Sequence, residues 1–228
     1  TNCIFTGNST SAKYAVWQDA VEADPDAGTE AVTEVHNYVR GGAIYVAGLP
    51  KVIINGRSFT GNSQKDYSTY KMYGGGAIFS VSEIALSGVT LTENSAYYGG
   101  AIKKKKKIVL SDVTFSKNSA NFGGAFDFIG ETTVSKCKFI ENTSTTYGGA
   151  LYTTSETAVA VFTNCEINKN SSANNGGAIF VNPAKKITFP AFRAATAASF
   201  ENKLVKAPQV NGVKISVCIP TCLKMSDT

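Results

Sequence analysis

Five consecutive lysines, Lys103 to Lys107, stand between Gly99-Gly100-Ala101-Ile102 and the apolar run Ile108-Val109-Leu110. A basic run of this length could meet an anionic glycan or phosphate surface, or could be a solvated strand or linker. Acids are the next candidates for chemistry. Glycosidic hydrolysis needs two carboxylates facing one groove, which turns attention to Asp127, Glu131 and Glu156. Asp24-x-Asp26-x-Gly28-x-Glu30 has part of a calcium loop but lacks its twelve-residue ligand pattern. The cysteines, Cys3, Cys137, Cys165, Cys218 and Cys222, form no CxxC pair, so a tight four-ligand zinc set is not expected. No Ser-His-Asp set can be assembled around the single histidine, His36. The expectation is therefore a non-enzyme without metal or cofactor.

Composition bounds the rest. The 228 residues are 43% hydrophobic and 17% charged, a folding rather than a disordered composition. The net charge of +5 equals the lysine run, so no dispersed nucleic-acid footprint is expected. No apolar window reaches about 18 residues, the minimum for a transmembrane helix. The chain starts at Thr1 without Met or a signal-like stretch. That is the expectation for part of a longer exported protein whose membrane anchor lies outside this chain.

Internal repetition organises these residues. Gly-Gly-Ala-apolar recurs at Gly41-Gly42, Gly75-Gly76, Gly99-Gly100, Gly123-Gly124, Gly148-Gly149 and Gly176-Gly177, with successive spacings of 34, 24, 24, 25 and 28. A second motif, apolar-x-x-Asn-Ser/Thr, runs in step and ends at Asn8, Asn62, Asn94, Asn118, Asn142 and Asn170. Two interlocked motifs with β-type sequence between them fit one coil of a parallel β-helix, about 24 residues long. Residues i and i+2 of a strand share a face. Val89/Leu91, Val113/Phe115, Cys137/Phe139 and Cys165/Ile167 should therefore point inward. The asparagines fall at a turn, where a short amide can bond backbone and tolerate a left-handed conformation. Stacked, they would form an amide ladder. The glycine pair gives freedom at a second corner.

Motif alignment gives the lysines addresses. GGAIFSVSEIAL, GGAIKKKKKIVL and GGAFDFIGETTV have equal length, so Lys103 to Lys107 fill a strand slot. Lys105 matches Val81 and Ile129 and should face inward, whereas Lys104 and Lys106 should face solvent as candidate binding residues. Glu83, Lys107, Glu131 and Glu156 share a slot, which makes Glu131 and Glu156 the adjacent acid pair.

The paired GGA(I/L/V/F) and FxxN motifs resemble the polymorphic membrane protein repeats of chlamydial-type autotransporter adhesins, over roughly residues 1 to 181. The resemblance implies an all-β fold, a right-handed parallel β-helix. It also implies a passenger exported to the cell surface or outer membrane, or secreted, that acts in attachment and virulence. The implied partner is a host-cell receptor or glycan.

The expected organisation is one domain: a β-helix over 1–189 with an excursion at 9–40, and a terminal coil or cap over 190–228. The excursion holds Trp17, and a shorter one at 62–74 holds Tyr67 and Tyr70. Excursions from a rigid scaffold often carry recognition, and tyrosine offers large contact area at low entropic cost. Cys3, Cys137 and Cys165 share one repeat slot, which reads as a small core residue. Cys137 and Cys165 on neighbouring coils could also form a disulfide, as could Cys218 with Cys222. Asn8, Asn142 and Asn170 are N-x-S/T sequons in the ladder slot and are expected to be unglycosylated. Functionally the sequence points to an adhesin-like solenoid. An end-to-end structural or filament-forming protein and a polysaccharide-acting enzyme are the alternatives.

Overall fold

The computed structural model describes residues 4–12, 18–20, 33–35, 41–66, 74–182, 186–189 and 215–217. Each coil makes four short strands that stack on those of the next coil, giving four parallel sheets. In the coil from Gly75 these are Ile78–Ser80, Glu83–Ser87, Thr90–Thr92 and Ser95–Tyr98. We number the sheets one to four in that order. Equivalent residues pair in register, for example Ile78↔Ile102↔Phe126 in sheet one and Leu91↔Phe115↔Phe139 in sheet three. The chain is thus a parallel β-helix, and the motif alignment of the central coils is the register of the fold.

Inward residues build one continuous core. Val89, Leu91, Val113, Phe115, Cys137, Phe139, Cys165 and Ile167 are all buried. Within the sheet-three column the Phe115 and Phe139 rings stack 4.7 Å apart. The two glycines of each corner are needed for different reasons. Gly99 has φ +58°, in the left-handed region. At Gly100 a Cβ would lie 2.1 Å from the Gly124 carbonyl oxygen of the next coil, so any side chain would force the coils apart.

The asparagine ladder is present, and its hydrogen bonds are specific. The backbone N–H and Nδ2 of Asn94 both donate to Asn118 Oδ1, at 2.9 and 3.0 Å, and Asn94 Nδ2 also donates to the Phe59 carbonyl. Asn118 repeats this toward Asn142 Oδ1 and the Leu91 carbonyl. Each inner amide is fully used although buried, which removes the cost of an unpaired polar group. The left-handed conformation falls on the residue before the asparagine: Gly61, Glu93, Lys117 and Glu141 have φ between 54° and 63°. Replacing Asn118 with alanine orphans both donors of Asn94 and is expected to cost about 2 kcal/mol. Chemical denaturation of the variant measures it. Asn142 and Asn170 are buried, but Asn8, at the end of the ladder, is exposed, so the expected burial of all three sequons holds for two.

The starts of the two expected excursions shift. Ser9–Ala12 and Ser63–Asp66 are in-register strands of sheet four, so residues 9–12 and 63–66 belong to the coils and not to the excursions expected at 9–40 and 62–74. Inside the first, Gln18–Ala20 pairs antiparallel with Thr33–Val35. Past Val181 the stack continues: Lys186–Phe189 pairs with Val159–Thr163, and Ile215–Val217 pairs with Lys186–Phe189. Trp17, Tyr67, Tyr70, His36, Cys3, Cys218, Cys222 and the acidic Asp24–Glu30 segment lie outside the described residues.

Candidate functional site

Sheet one decides where the lysines go. Its strands are only three residues long, and Ile102, buried in the core, sets the phase of Ile102–Lys104. Lys104 therefore shares the inward face with Ile102. It stacks in register with Ser80 and Phe128 and is fully buried. This reverses the expectation that Lys104 faces solvent and Lys105 faces inward: Lys105, Lys106 and Lys107 are exposed. The cause is the corner that follows Lys104. The chain turns there, and the period-two alternation does not run through a turn, so matching Lys105 to Val81 and Ile129 does not place it inside.

Lys104 Nζ donates to the Glu131 carbonyl at 2.8 Å. Burial pushes its amine down to about 7, against a smaller upward pull from Asp127 and Glu131. Lys106 is exposed, away from the cleft described below. Lys107 makes a surface pair with Glu131 at 3.7 Å, an interaction of little energetic weight.

Lys103 faces outward yet is also covered. In the outward column of sheet one, Tyr45, Phe79, Lys103, Asp127, Tyr152 and Phe180 follow one another in register. Across the Gly-Gly corner, Tyr98, Phe122 and Tyr147 form a second outward column at the end of sheet four. The two columns converge: Phe122 lies 5.2 Å from Tyr152, and Tyr147 stacks on Phe180 at 4.5 Å. Into this aromatic corner Lys103 and Asp127 insert one ion pair at 2.5 Å, with Lys103 Nζ 3.9 Å from the centre of the Tyr98 ring. Both charged residues are buried, at 6% and 4% exposure.

An open cleft of about 420 Å³ lies over this pair. Tyr98, Lys103, Lys105, Asp127, Ile129, Tyr152, Thr154 and Ser155 line it. Burial raises the Tyr98 phenol to about 12, with smaller contributions from Tyr152, Tyr97 and Asp127. Tyr152 is raised by burial as well, partly offset by its bond with Thr154. Both phenols are therefore neutral at ordinary pH and can donate hydrogen bonds. Aromatic faces, a carboxylate, an ammonium and hydroxyls together suit a ligand with apolar faces and hydroxyl edges.

The sequence motifs did not single out this site. Thr154 and Ser155 belong to a stretch where the coil from Gly148 lengthens to 28 residues, leaving the strand after Thr153 and re-entering at Val159. The lengthening also breaks the expected acid pair. Glu131 stands in register with Val159, and Glu156 sits in the turn before it. The available signals were the spacing of 28 and the switch from apolar to charged residues at Lys103 and Asp127 in the slot after GGA-apolar.

Cys137 and Cys165 sit in the core as unbonded thiols, so the candidate disulfide between them is absent. The Cys137 thiol donates to the Ser135 carbonyl at 3.2 Å and accepts from the Val113 N–H, and Cys165 donates to the Thr163 carbonyl at 3.4 Å. The Cys165 thiol beside it, together with burial, raises Cys137 far above the ordinary thiol range. Among the described residues no group of three or more His, Cys, Asp or Glu could hold a metal ion. No helix among them is long and apolar enough to cross a membrane.

Comparison with known proteins supports this geometry at the level of fold. A family model described as right-handed β-helix region matches residues 65–190, more than half of the chain, and gives the hand of the coil. No curated protein and no solved structure matches.

Proposed function

The chain belongs to the right-handed β-helix family, and we propose that it is an adhesin-like member, displayed at a cell surface or secreted, that attaches to a host receptor or glycan without catalysis. The paired repeat motifs favour kinship with the polymorphic membrane protein group. The cleft over Lys103 and Asp127 is the observation that supports contact by this face. A rigid solenoid holds its aromatic and charged groups in a fixed array, which lowers the entropic cost of recognition. The Lys103–Asp127 pair has no second carboxylate stacked beside it in register, since Phe79 and Tyr152 flank it. That arrangement favours binding over a paired-carboxylate hydrolase. A polysaccharide-acting enzyme would use this same cleft.

A structural, filament-forming role is the second reading, and one observation favours it. The exposed large hydrophobics among the described residues, Ile4, Tyr45, Leu49 and Ile53, all belong to the coils at one end of the stack. End-to-end association would cover them and the open strand edges. Sedimentation and cell-attachment assays separate the readings. The proposal expects a soluble chain whose attachment survives Ile53→Lys and Leu49→Lys. Concentration-dependent assemblies that those substitutions abolish, with no attachment by either form, would support the structural reading instead.

A further inference from the structure

Resting on the reading of the cleft as a contact site, we propose that it takes one neutral sugar ring, held by two neighbouring hydroxyls. Two open hydrogen-bonding atoms carry this. Asp127 is 4% exposed and commits Oδ2 to Lys103. Its Oδ1 has no donor among the described residues and is open to the cleft rather than sealed. The Tyr98 hydroxyl, in the same lining, has no partner among those residues either. Lys103 Nζ, 2.5 Å from Asp127 Oδ2 and 3.9 Å from the centre of the Tyr98 ring, ties the two side chains to one spot. A carboxylate oxygen only accepts, whereas a protonated phenol can donate, and burial keeps this phenol protonated by raising it to about 12. One ligand hydroxyl is therefore read as a donor and its neighbour as an acceptor. Adjacent hydroxyls on a sugar ring present that pair along one edge.

Charge and size narrow the ligand. The buried Lys103 and Asp127 cancel each other. A ligand charge set against them would compete for one partner and strand the other, so the ligand is neutral at this point. Lys105, exposed in the lining, has a contact of its own and is given no part in binding. The charged stretch is one coil step long, about 4.8 Å, and Phe79 and Tyr152 close it on either side. That length fits a single ring. The Tyr98 ring is already engaged, by the Lys103 ammonium and by Phe122 stacked at 4.9 Å, so its hydroxyl and not its face is on offer. Ile129 and Tyr152 supply the apolar surface for the C–H side of the sugar.

The test titrates the full chain with the methyl glycosides of galactose, glucose, mannose and galacturonic acid, and with tetrahydropyran, the same ring without hydroxyls. Binding is read at Tyr98 and Tyr152 by saturation-transfer and chemical-shift NMR. At least one neutral glycoside is expected to bind at these tyrosines, with an affinity that salt leaves unchanged and that the galacturonic acid glycoside does not exceed. Tyr98→Phe should weaken that binding about fivefold, the loss of one hydrogen bond, while the unfolding midpoint stays unchanged. Tighter binding of the acidic glycoside, falling as salt rises, overturns the neutral assignment and leaves the adhesin reading standing. An unaltered affinity in Tyr98→Phe overturns the hydroxyl pair. Binding of tetrahydropyran as strong as that of the glycosides shows a merely apolar pocket and overturns the sugar. Absence of binding by every glycoside overturns the saccharide assignment, and the attachment assay then judges the adhesin reading by itself.

Discussion

Replacing Lys104 with methionine should stabilise the protein by about 1–4 kcal/mol at pH 7, the largest gain expected from any single change here. The amine is fully buried, in register with Ser80 and Phe128, and burial lowers it from 10.5 to about 7. In the unfolded chain the lysine keeps its ordinary affinity for a proton. Between pH 10.5 and about 7 the unfolded state therefore binds a proton that the folded state does not, and stability falls as pH falls through that window. Below about pH 7 both states are protonated and the full penalty is present. The gross effect is roughly 4–5 kcal/mol at 1.36 kcal/mol per pH unit of displacement. Loss of the donor to the Glu131 carbonyl returns about 1–3 kcal/mol of it. The gain from Lys104→Met should thus be greatest at and below pH 7 and shrink steadily toward pH 9.5. Urea unfolding of both proteins at pH 6, 7, 8 and 9.5 measures it. That range stays below the raised Tyr98 phenol, whose stabilisation is complete below pH 10 and is lost as pH rises toward about 12. A pH-independent gain would mean that Lys104 remains charged when folded.

Asp127→Ala should act in the opposite direction, costing about 3–5 kcal/mol, because it strands the Lys103 ammonium in a nearly solvent-free position. The pair itself need not be stabilising. Buried ion pairs commonly give way to well-packed apolar side chains at no loss, and the neighbouring coils show what would fit. Phe79 and Tyr152 occupy the positions directly before and after the pair in the column. The double variant Lys103→Phe/Asp127→Tyr restores an unbroken aromatic column. It is expected to match the parent's stability or exceed it by about 1–4 kcal/mol. Thermal and urea unfolding of the single and double variants form the cycle. If the double variant were as unstable as Asp127→Ala, the pair would be a structural necessity and not a retained functional feature.

What the sequence disclosed and what it hid follow from the same repetition. Gly100 recurs because a Cβ there meets the next coil's carbonyl, and Asn118 recurs because the amides on either side need it. A demand imposed by every neighbouring coil leaves a periodic trace, so the β-helix, its register and its ladder were legible. Lys104 and Lys105 were misplaced because strands of three residues give alternation too little length to survive a corner. The cleft was hidden for a different reason. It arises where the repeat is broken, by two charged residues in an aromatic column and by the turn at Thr154–Thr157. No period announces such a place, and Tyr98 and Tyr152 meet across it only through the geometry of the Gly-Gly corner.

Attachment by Lys103→Phe/Asp127→Tyr tests the central claim most directly, since it removes the polar centre of the cleft without the folding cost of a single substitution. Parent and double variant would be displayed at equal density on beads and measured for binding to host cells, with folding verified on the same preparations. The account predicts that the double variant stays folded and loses at least tenfold in attachment. A folded double variant that attaches as well as the parent would contradict it and place the contact surface elsewhere on the solenoid.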